Sequence, residues 1–237
     1  MRAKINLVIS IFILAGILFG AGLVIKNTDR EVKGELLYPF SRNPTVLSSF
    51  SKISERPKKI IYGYLPYWSL EKTEYLQIDK LTDIAYFGLY LDEDGNFVTT
   101  TEGSDGTMIQ EPGYDNWKNN ENLKALIKNS KENDVRFALT IIAHIDDKND
   151  KFLNCRECWD TLLKNIIVEL NEKGIRDVNL NFEHAEGTDE GIDIKFSEFT
   201  KYLNDELDKI YGNSYLVVSA FGDSATQNRV SSDLENL

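Results

Sequence analysis

The sequence predicts an α/β fold in which a parallel sheet is covered by helices. Short apolar segments of about six residues alternate with amphipathic helical segments, and polar loops separate the two kinds of segment. Continuous apolar strands between helices are typical of a parallel sheet that is buried on both faces. A doubly wound open sheet and a closed (β/α) barrel both fit this alternation.

Five strands are predicted, and each has its own boundary signal. The first leads into an aromatic loop that contains Tyr67 and Trp68, the second precedes a turn with Asp-Gly, and the third ends at His144. Asp-Gly readily takes the positive φ that a tight turn requires. The predicted strands are residues 60–65, 83–91, 135–143, 178–183 and 215–222.

Helices are predicted where apolar residues recur at helical spacing. In the segment 120–133, Leu123, Leu126 and Ile127 share one face. Gly174 follows the next helix, at a position typical of a C-cap. We predict helices over 120–133, 159–173 and 196–210, a short helical or irregular connection over 71–81, and a long polar loop over 99–116.

The amino terminus predicts a separate membrane module. Arg2 and Lys4 precede an uncharged apolar run at residues 5–25, which is close to the ~20 residues needed to cross a bilayer as a helix. We expect residues 1–26 to form an uncleaved transmembrane anchor, with a cleaved signal sequence as the alternative. Residues 27–58 read as a linker, and residues 59–237 as an extracytoplasmic domain that is secreted if the anchor is cleaved.

Composition and motifs exclude several function classes. The formal net charge of −11 and the pI near 4.8 disfavour nucleic acid and anionic lipid as partners, whereas a neutral sugar is compatible with them. The sequence has no Gly-x-Gly-x-x-Gly after the first strand, no Gly-x-Ser-x-Gly elbow and no phosphate-binding loop. We therefore expect no cofactor, and the oligomeric state stays open.

The two cysteines, Cys155 and Cys158, form a Cys-Arg-Glu-Cys motif. Outside the cytoplasm a disulfide can form between them, whereas a redox role would need a thioredoxin-like context that the surrounding sequence lacks. A zinc site would need two more ligands, and only His144 and His184 are available. We expect a local disulfide or two free thiols at a helix start, and no metal site.

The fourth strand carries the main catalytic candidate. Apolar residues at 178, 180 and 182 alternate with Asn179, Asn181 and Glu183, which is the period of two that a strand requires. Glu183 ends the strand, and in a (β/α) barrel the carboxyl ends of the strands carry the chemistry. Glu183 is therefore a candidate catalytic acid, and the alternative is a solvated strand end.

Several segments together resemble glycoside hydrolase family 18, the chitinase-like barrels. They are Tyr-Gly-Tyr-Leu-Pro-Tyr-Trp at 62–68, Asp-Ile-Ala-Tyr-Phe at 83–87, and Val-Val-Ser-Ala at 217–220. The most specific is 176–183, Arg-Asp-Val-Asn-Leu-Asn-Phe-Glu, which stands where the family carries Asp-Gly-x-Asp-x-Asp-x-Glu. The resemblance covers 59–237 and implies a (β/α)8 TIM barrel, of which about five β/α units are present in this chain.

The resemblance also implies a reaction on β-linked glycans that contain N-acetylglucosamine, such as chitin-like oligomers, peptidoglycan or the N-glycan core. Glu183 would be the general acid, and the 2-acetamido oxygen of the substrate would be the nucleophile, an exception to the two-carboxylate scheme. Asn181 would orient the acetamide group and Asn179 would support it. Tyr64 and Trp68 would stack on sugar rings and His144 would hydrogen-bond the ligand, although packing and a structural histidine remain alternatives.

Two departures from the family pattern matter. Asn181 replaces an aspartate, and an amide can accept the acetamide N–H but cannot stabilise developing positive charge as a carboxylate does. Related acetamide-assisted endoglycosidases resemble this chain in using an asparagine there, so the change is compatible with activity. A non-catalytic carbohydrate-binding barrel, suggested by Asn179 and Asn181, is the alternative to the enzyme. The family's later Tyr-Asp pair and tryptophan are also absent from 59–237, which predicts a fragment of a barrel of about 250 residues.

Overall fold

The computed structural model describes residues 59–183 and 191–220, and its centre is a five-stranded parallel sheet. The predicted α/β class and the five predicted strands are confirmed, with boundaries shifted by a few residues. The predicted anchor at 1–26 and the linker at 27–58 lie outside the described residues. The strands are β1 (Tyr62–Pro66), β2 (Asp83–Tyr90), β3 (Thr100–Glu102), β4 (Met108–Gln110), β5 (Arg136–Ala143), β6 (Asp177–Phe182) and β7 (Leu216–Val218).

The strand order bears on the two architectures that the sequence left open. The order β1-β2-β5-β6-β7 follows the chain, and every pair in this sheet is parallel. A doubly wound sheet reverses direction at a switch point, and this sheet has no reversal. Each connection within this sheet adds the next strand on the same side, so the sheet is wound in a single direction. With right-handed crossovers, this winding places the connecting helices on one face.

Five α-helices flank the described strands, and the three predicted helices are among them. Asn120 caps the second helix by accepting hydrogen bonds from two backbone N–H groups, and Gly174 ends the fourth in a left-handed conformation, as its position predicted. Two 3-10 helices, Tyr67–Tyr75 and Ile78–Lys80, connect β1 to β2. The α-helices are α1 (Pro112–Asn119), α2 (Glu121–Glu132), α3 (Asp146–Leu153), α4 (Arg156–Lys173) and α5 (Ile192–Tyr211).

The predicted long loop over 99–116 is wrong. It contains the antiparallel hairpin of β3 and β4 and the start of α1. The hairpin turn is fixed by Asp105, whose carboxylate accepts hydrogen bonds from the backbone and the hydroxyl group of Thr107, and by Gly106 at φ +80°. Its short strands are mostly exposed, so no hydrophobic alternation marks them in the sequence.

The two faces of β6 have different chemistry. Phe182 packs against Phe196 and Phe199 of α5, with ring centroids 5.1 Å and 5.8 Å apart. Since successive side chains of a strand alternate between faces, Asn179 and Asn181 point to the opposite side from this apolar layer. The polar set that the sequence analysis singled out therefore lies on the face of the sheet that is not covered by α5.

That opposite face is concave. The hydroxyl group of Tyr64 on β1 lies 2.8 Å from Oγ of Ser219, just after β7, although four strand spacings separate β1 from β7. In a flat sheet, four spacings of ~4.8 Å would hold these strands about 19 Å apart, too far for a tyrosine and a serine side chain to meet. The sheet must therefore curl, with Asn179 and Asn181 on its inner face.

A buried ion pair joins the amino ends of the central strands. Arg136 of β5 donates two hydrogen bonds to the carboxylate of Asp177 on β6, and Arg136 also donates to the carbonyl oxygen of Asn213 at 3.0 Å. The backbone N–H of Tyr215 donates to Asp177 at 2.8 Å, and the guanidinium group lies 3.9 Å from the Tyr215 ring centroid. This cluster sets the register of β5, β6 and the start of β7 at the end of the sheet opposite Glu183.

The two cysteines at the start of α4 form a disulfide. Cys155 is the N-cap residue of the helix, and its sulfur accepts a hydrogen bond from the backbone N–H of Cys158. Of the two outcomes that the sequence left open, the structure has the local disulfide. Among the helices that the structure describes, none is long and apolar enough to cross a membrane.

Candidate active site

Glu183 lies at the carboxyl end of β6, where its backbone extends the ladder with the neighbouring strand. Its backbone N–H donates to the carbonyl oxygen of Ala143, the last residue of β5, at 2.8 Å. The side chain is 40% exposed, so the carboxylate is open to solvent while its backbone is fixed. Glu183 is thus a carboxylic acid on a rigid support, which is what a positioned acid or base requires.

Glu183, Asn181 and His144 meet in one cluster. The side-chain nitrogen of Asn181 lies 3.1 Å from Oε1 of Glu183 and 2.6 Å from Nε2 of His144. Nε2 of His144 is also 3.5 Å from the same carboxylate oxygen. The structure therefore brings together three of the six site residues that the sequence predicted, from the ends of two adjacent strands.

His144 is held against an aromatic wall. Its ring centroid lies 6.4 Å from that of Phe87 and 6.2 Å from that of Tyr90, both on β2. Burial lowers the pKa of the imidazole below its ordinary value, and the attraction of the Glu183 carboxylate opposes this shift without cancelling it. His144 is consequently a neutral hydrogen-bonding group at neutral pH, and not the cationic partner of an ion pair with Glu183.

Asn179 is fully buried below the cluster and does not touch Glu183 directly. Its side-chain nitrogen donates to the hydroxyl oxygen of Thr140 at 3.3 Å, and its oxygen accepts from the hydroxyl group of Ser219 at 3.2 Å. Ser219 in turn pairs with Tyr64. This chain of polar groups crosses the concave face from β1 to the end of β7, and Tyr64 takes part in it while remaining 49% exposed.

Trp68 stands apart from the cluster at the rim of the sheet. It lies in the 3-10 helix after β1, it is 64% exposed, and its ring contacts Tyr67 edge to face at 4.9 Å. A large exposed aromatic ring beside a concave polar face can stack on a ligand, and its role as a sugar contact stays a prediction.

Asn149 is a residue of this region that the sequence analysis missed. Its buried side-chain nitrogen donates to the carbonyl oxygens of Ala143 and Glu183, each at 3.0 Å. One amide on α3 therefore holds the ends of β5 and β6 together, directly beside His144 and Glu183. Its polar helix, with only Phe152 and Leu153 as large buried apolar residues, carries no sequence pattern that would have revealed this contact.

The wall formed by α1 was also missed. Glu111 is buried and caps α1 by accepting from the backbone N–H of Tyr114 at 2.7 Å, and the hydroxyl group of Tyr86 donates to the carbonyl oxygen of Gly113 at 2.7 Å. Burial, with smaller contributions from Tyr67, Glu111 and Glu183, raises the pKa of Tyr90 on β2. Tyr90 therefore faces the site as a neutral phenol.

The chemistry of the described site is that of a carboxylic acid with amide, imidazole and hydroxyl groups around it. Within residues 59–183 and 191–220, no group of three histidine, cysteine or acidic side chains could hold a metal ion. Such a site can donate or accept a proton at Glu183 and can hydrogen-bond a polar, uncharged ligand through Asn181.

Comparison with known proteins supports this fold. The chain is similar to the spore cortex-lytic enzyme SleL of Bacillus megaterium, with 19% identity and a TM-score of 0.51 over 70% of this chain and 35% of that one. SleL of Bacillus cereus matches with 14% identity and a TM-score of 0.51, over 75% and 39% of the two chains. The C-terminal domain of a Desulfitobacterium hafniense protein described as a chitinase matches with 17% identity and a TM-score of 0.51, over 67% and 45%.

Identities this low define the fold and not the activity. The expected resemblance to chitinase-like enzymes is confirmed at that level, and the chain spans less than half the length of each of these three structures. No protein-family model and no curated protein sequence matches the chain.

Proposed function

We propose that the chain carries the acid-bearing part of a glycosidase that hydrolyses β-linked N-acetylglucosamine glycans. The observation that carries the proposal is the cluster of Glu183, Asn181 and His144 on the concave face, at the carboxyl ends of β5 and β6. In α/β barrels this end of the strands is where catalytic groups lie. The similarity of the fold to cortex-lytic enzymes supports the same class of substrate.

In this mechanism Glu183 works as a general acid and then as a general base. It donates a proton to the glycosidic oxygen while the bond from that oxygen to C1 breaks, and the acetamide oxygen of the same sugar bonds to C1 to give an oxazolinium ion. The leaving sugar departs with the proton. Water then attacks C1 and Glu183 takes its proton. The bond between C1 and the acetamide oxygen breaks, which opens the oxazolinium ring with net retention of configuration at C1.

Asn181 would hold the acetamide group during this reaction. Its side-chain nitrogen is directed at His144 and Glu183, so its oxygen is turned the other way and can accept the acetamide N–H. Asn179, which is anchored to Thr140 and Ser219, would keep the strand rigid below it. Tyr64 and Trp68 would supply aromatic faces for sugar rings at the rim.

For the whole protein we propose a (β/α)8 barrel, five strands of which form the described sheet. The order of the strands and the curvature that joins Tyr64 to Ser219 support this architecture. We also propose that residues 1–26 anchor the domain to a membrane and that residues 27–58 hold it outside the cytoplasm. Chitin-like oligomers, peptidoglycan and the N-glycan core are the substrates to compare.

The test is the Glu183→Gln variant of the full chain, which keeps the shape of the side chain but cannot act as an acid. We expect hydrolysis of N-acetylglucosamine oligomers and of peptidoglycan to fall by at least about 100-fold, with an unchanged unfolding midpoint. The matched control is Glu157→Gln, an exposed position on α4. Unchanged turnover in Glu183→Gln would remove Glu183 from the mechanism.

A second function is favoured by the two asparagines themselves. Asn179 and Asn181 leave Glu183 without a neighbouring carboxylate on the same face of β6 to stabilise developing positive charge, which suits a carbohydrate-binding barrel without catalysis. Calorimetry with an N-acetylglucosamine oligomer separates the two proposals. Binding without product formation favours the module, and product formation favours the enzyme.

A further inference from the structure

The amide of Asn181 has two orientations of nearly equal shape, and only one of them suits the proposed substrate. With the nitrogen toward His144 and Glu183, it lies 2.6 Å from Nε2 of His144 and 3.1 Å from Oε1 of Glu183, so its two N–H groups can reach both atoms. With the amide reversed, the oxygen would face these groups and the N–H groups would face the ligand. An N–H group cannot accept the N–H of an acetamide, so the orientation decides whether the site recognises that group.

Glu183 alone cannot fix this orientation in the protonation state that catalysis needs. An ionised Glu183 only accepts hydrogen bonds and would hold the Asn181 nitrogen toward itself. A general acid must carry a proton before it reacts, and a protonated Glu183 can donate to the Asn181 oxygen, which favours the reversed amide. A second acceptor that does not change when Glu183 gains its proton is therefore required.

We propose that His144 is this acceptor: a positioning residue whose neutral imidazole, with Nε2 unprotonated and the proton on Nδ1, fixes Asn181 so that its oxygen faces the substrate acetamide. The part that concerns substrate rests on the proposed function, whereas the tautomer of His144 and the orientation of Asn181 do not. The distance of 2.6 Å between Nε2 and the amide nitrogen requires one donor and one acceptor, and the amide nitrogen can only donate.

The surroundings of the ring keep it in this neutral state. Phe87 and Tyr90 lie against it from β2, and the ionisable side chains placed against the imidazole by the described residues are Tyr90 and Glu183. Burial lowers the pKa of His144, and the carboxylate of Glu183 is the opposing influence. The neutral imidazole therefore persists through the neutral pH range.

Protonation of His144 reverses the arrangement. Nε2 then carries a proton and meets the N–H groups of Asn181, two donors facing each other. Rotation of the amide relieves this conflict because its oxygen then accepts from His144, and Glu183 Oε1 at 3.5 Å can accept as well. The ligand then meets N–H groups in place of the oxygen, so recognition of the acetamide group is lost on acidification.

The first experiment measures the tautomer in the ligand-free full chain and needs no catalytic activity. The chain has two histidines, so a His184→Asn background leaves His144 as the single imidazole in long-range nitrogen–proton NMR spectra. We expect the Nδ1–H tautomer at neutral pH and a titration midpoint below the ordinary value of 6.5. An Nε2–H tautomer, or an imidazolium at neutral pH, would overturn the proposal.

The second experiment measures acetamide recognition by calorimetry, with N-acetylglucosamine and glucose oligomers of equal length as probes. His144→Leu should lose at least about tenfold of the preference for the N-acetylated oligomer, and its residual binding should no longer weaken on acidification. His144→Gln, which can supply an acceptor oxygen, should recover part of the preference. A His144→Leu variant with the preference of the original protein would overturn the proposal, whereas absent hydrolysis in the original protein would overturn only the catalytic function.

Discussion

The side-chain nitrogen of Asn149 lies 3.0 Å from the carbonyl oxygen of Glu183, the residue proposed as the catalytic acid. The same nitrogen donates to the carbonyl oxygen of Ala143 at the end of β5. Through Asn149, α3 therefore holds together the ends of β5 and β6, where His144 and Glu183 lie. The contact fixes the backbone of Glu183 and does not involve its carboxylate.

Replacing Asn149 with alanine should weaken both stability and turnover. The carbonyl oxygens of Glu183 and Ala143 would lose a buried side-chain donor, which costs about 1–3 kcal/mol in free energy of unfolding. Loss of alignment of the acid should lower kcat by at least about tenfold, measured well below the unfolding temperature. Asn154→Ala is the matched control, because Asn154 is exposed and bonds only within its own helix end among the described contacts; an equal loss of kcat there would contradict the positioning role.

Asn181→Asp should strengthen the acid function. A carboxylate at this position would lie within hydrogen-bonding distance of Glu183 and would keep a proton on the pair to higher pH, because two adjacent carboxylates cannot both ionise easily. It could also stabilise the oxazolinium ion. We expect kcat to rise about tenfold or more and the alkaline limb of the pH–rate profile to move to higher pH.

The measurement for Asn181→Asp is kcat/KM across the pH range, with Asn181→Ala beside it. The alanine variant removes both the acceptor and the charge, so its turnover should fall below that of the original protein. If Asn181→Asp is slower than the original protein at every pH, the site works with the amide group of Asn181 and a carboxylate there brings no gain, which contradicts the prediction.

Acidification should destabilise the fold through His144. Burial lowers the pKa of His144 in the folded state below the ordinary value of 6.5, so the unfolded chain binds more protons between these two values. The contribution of His144 is therefore fully present above about pH 6.5 and is lost as the pH falls through this window toward the folded-state pKa. His144→Gln should remove this part of the pH dependence of urea unfolding.

A companion measurement checks whether the carboxylate of Glu183 raises the pKa of His144. In Glu183→Gln the carboxylate that favours the imidazolium is absent, so the NMR titration midpoint of His144 should move further down. A midpoint that moves up in this variant would show that Glu183 does not act on His144 in the way the geometry indicates.

Arg136→Met should be strongly destabilising, because it leaves the buried carboxylate of Asp177 without its ionic partner. Removing one member of a buried pair costs about 3–5 kcal/mol, measured as the free energy of urea unfolding. Lys80→Met is the matched control, since Lys80 pairs with Asp79 at the surface and such exposed pairs contribute little to stability. Equal losses in the two variants would contradict a special role for the buried pair.

The sequence predicted the parts of the fold that leave a periodic trace. The buried strands and α2, α4 and α5 carry apolar residues at strand or helix spacing, and they were found close to their predicted positions. The hairpin of β3 and β4 was missed because its exposed strands have no apolar side. The helices α1 and α3 were missed because they are short and largely polar.

The candidate site also contains residues that the sequence predicted and contacts that it could not predict. Glu183, Asn181 and Asn179 could be recognised because they share one face of a strand, and His144 because it follows the neighbouring strand. Asn149 acts on backbone carbonyl groups, which are the same in every residue and leave no mark in the sequence. The meeting of Tyr64 with Ser219 depends on the curvature of the whole sheet, which no local pattern encodes.

The ion pair of Asp177 with Arg136 and the cluster at Glu183 occupy opposite ends of one strand. Six residues of extended chain separate them by about 20 Å, beyond the range over which substitutions usually influence each other. Replacements around the acid can therefore accumulate without loosening the anchor at the far end. Substitutions at Asn179 and Asn181 can therefore change the chemistry available beside Glu183 while the scaffold keeps its shape.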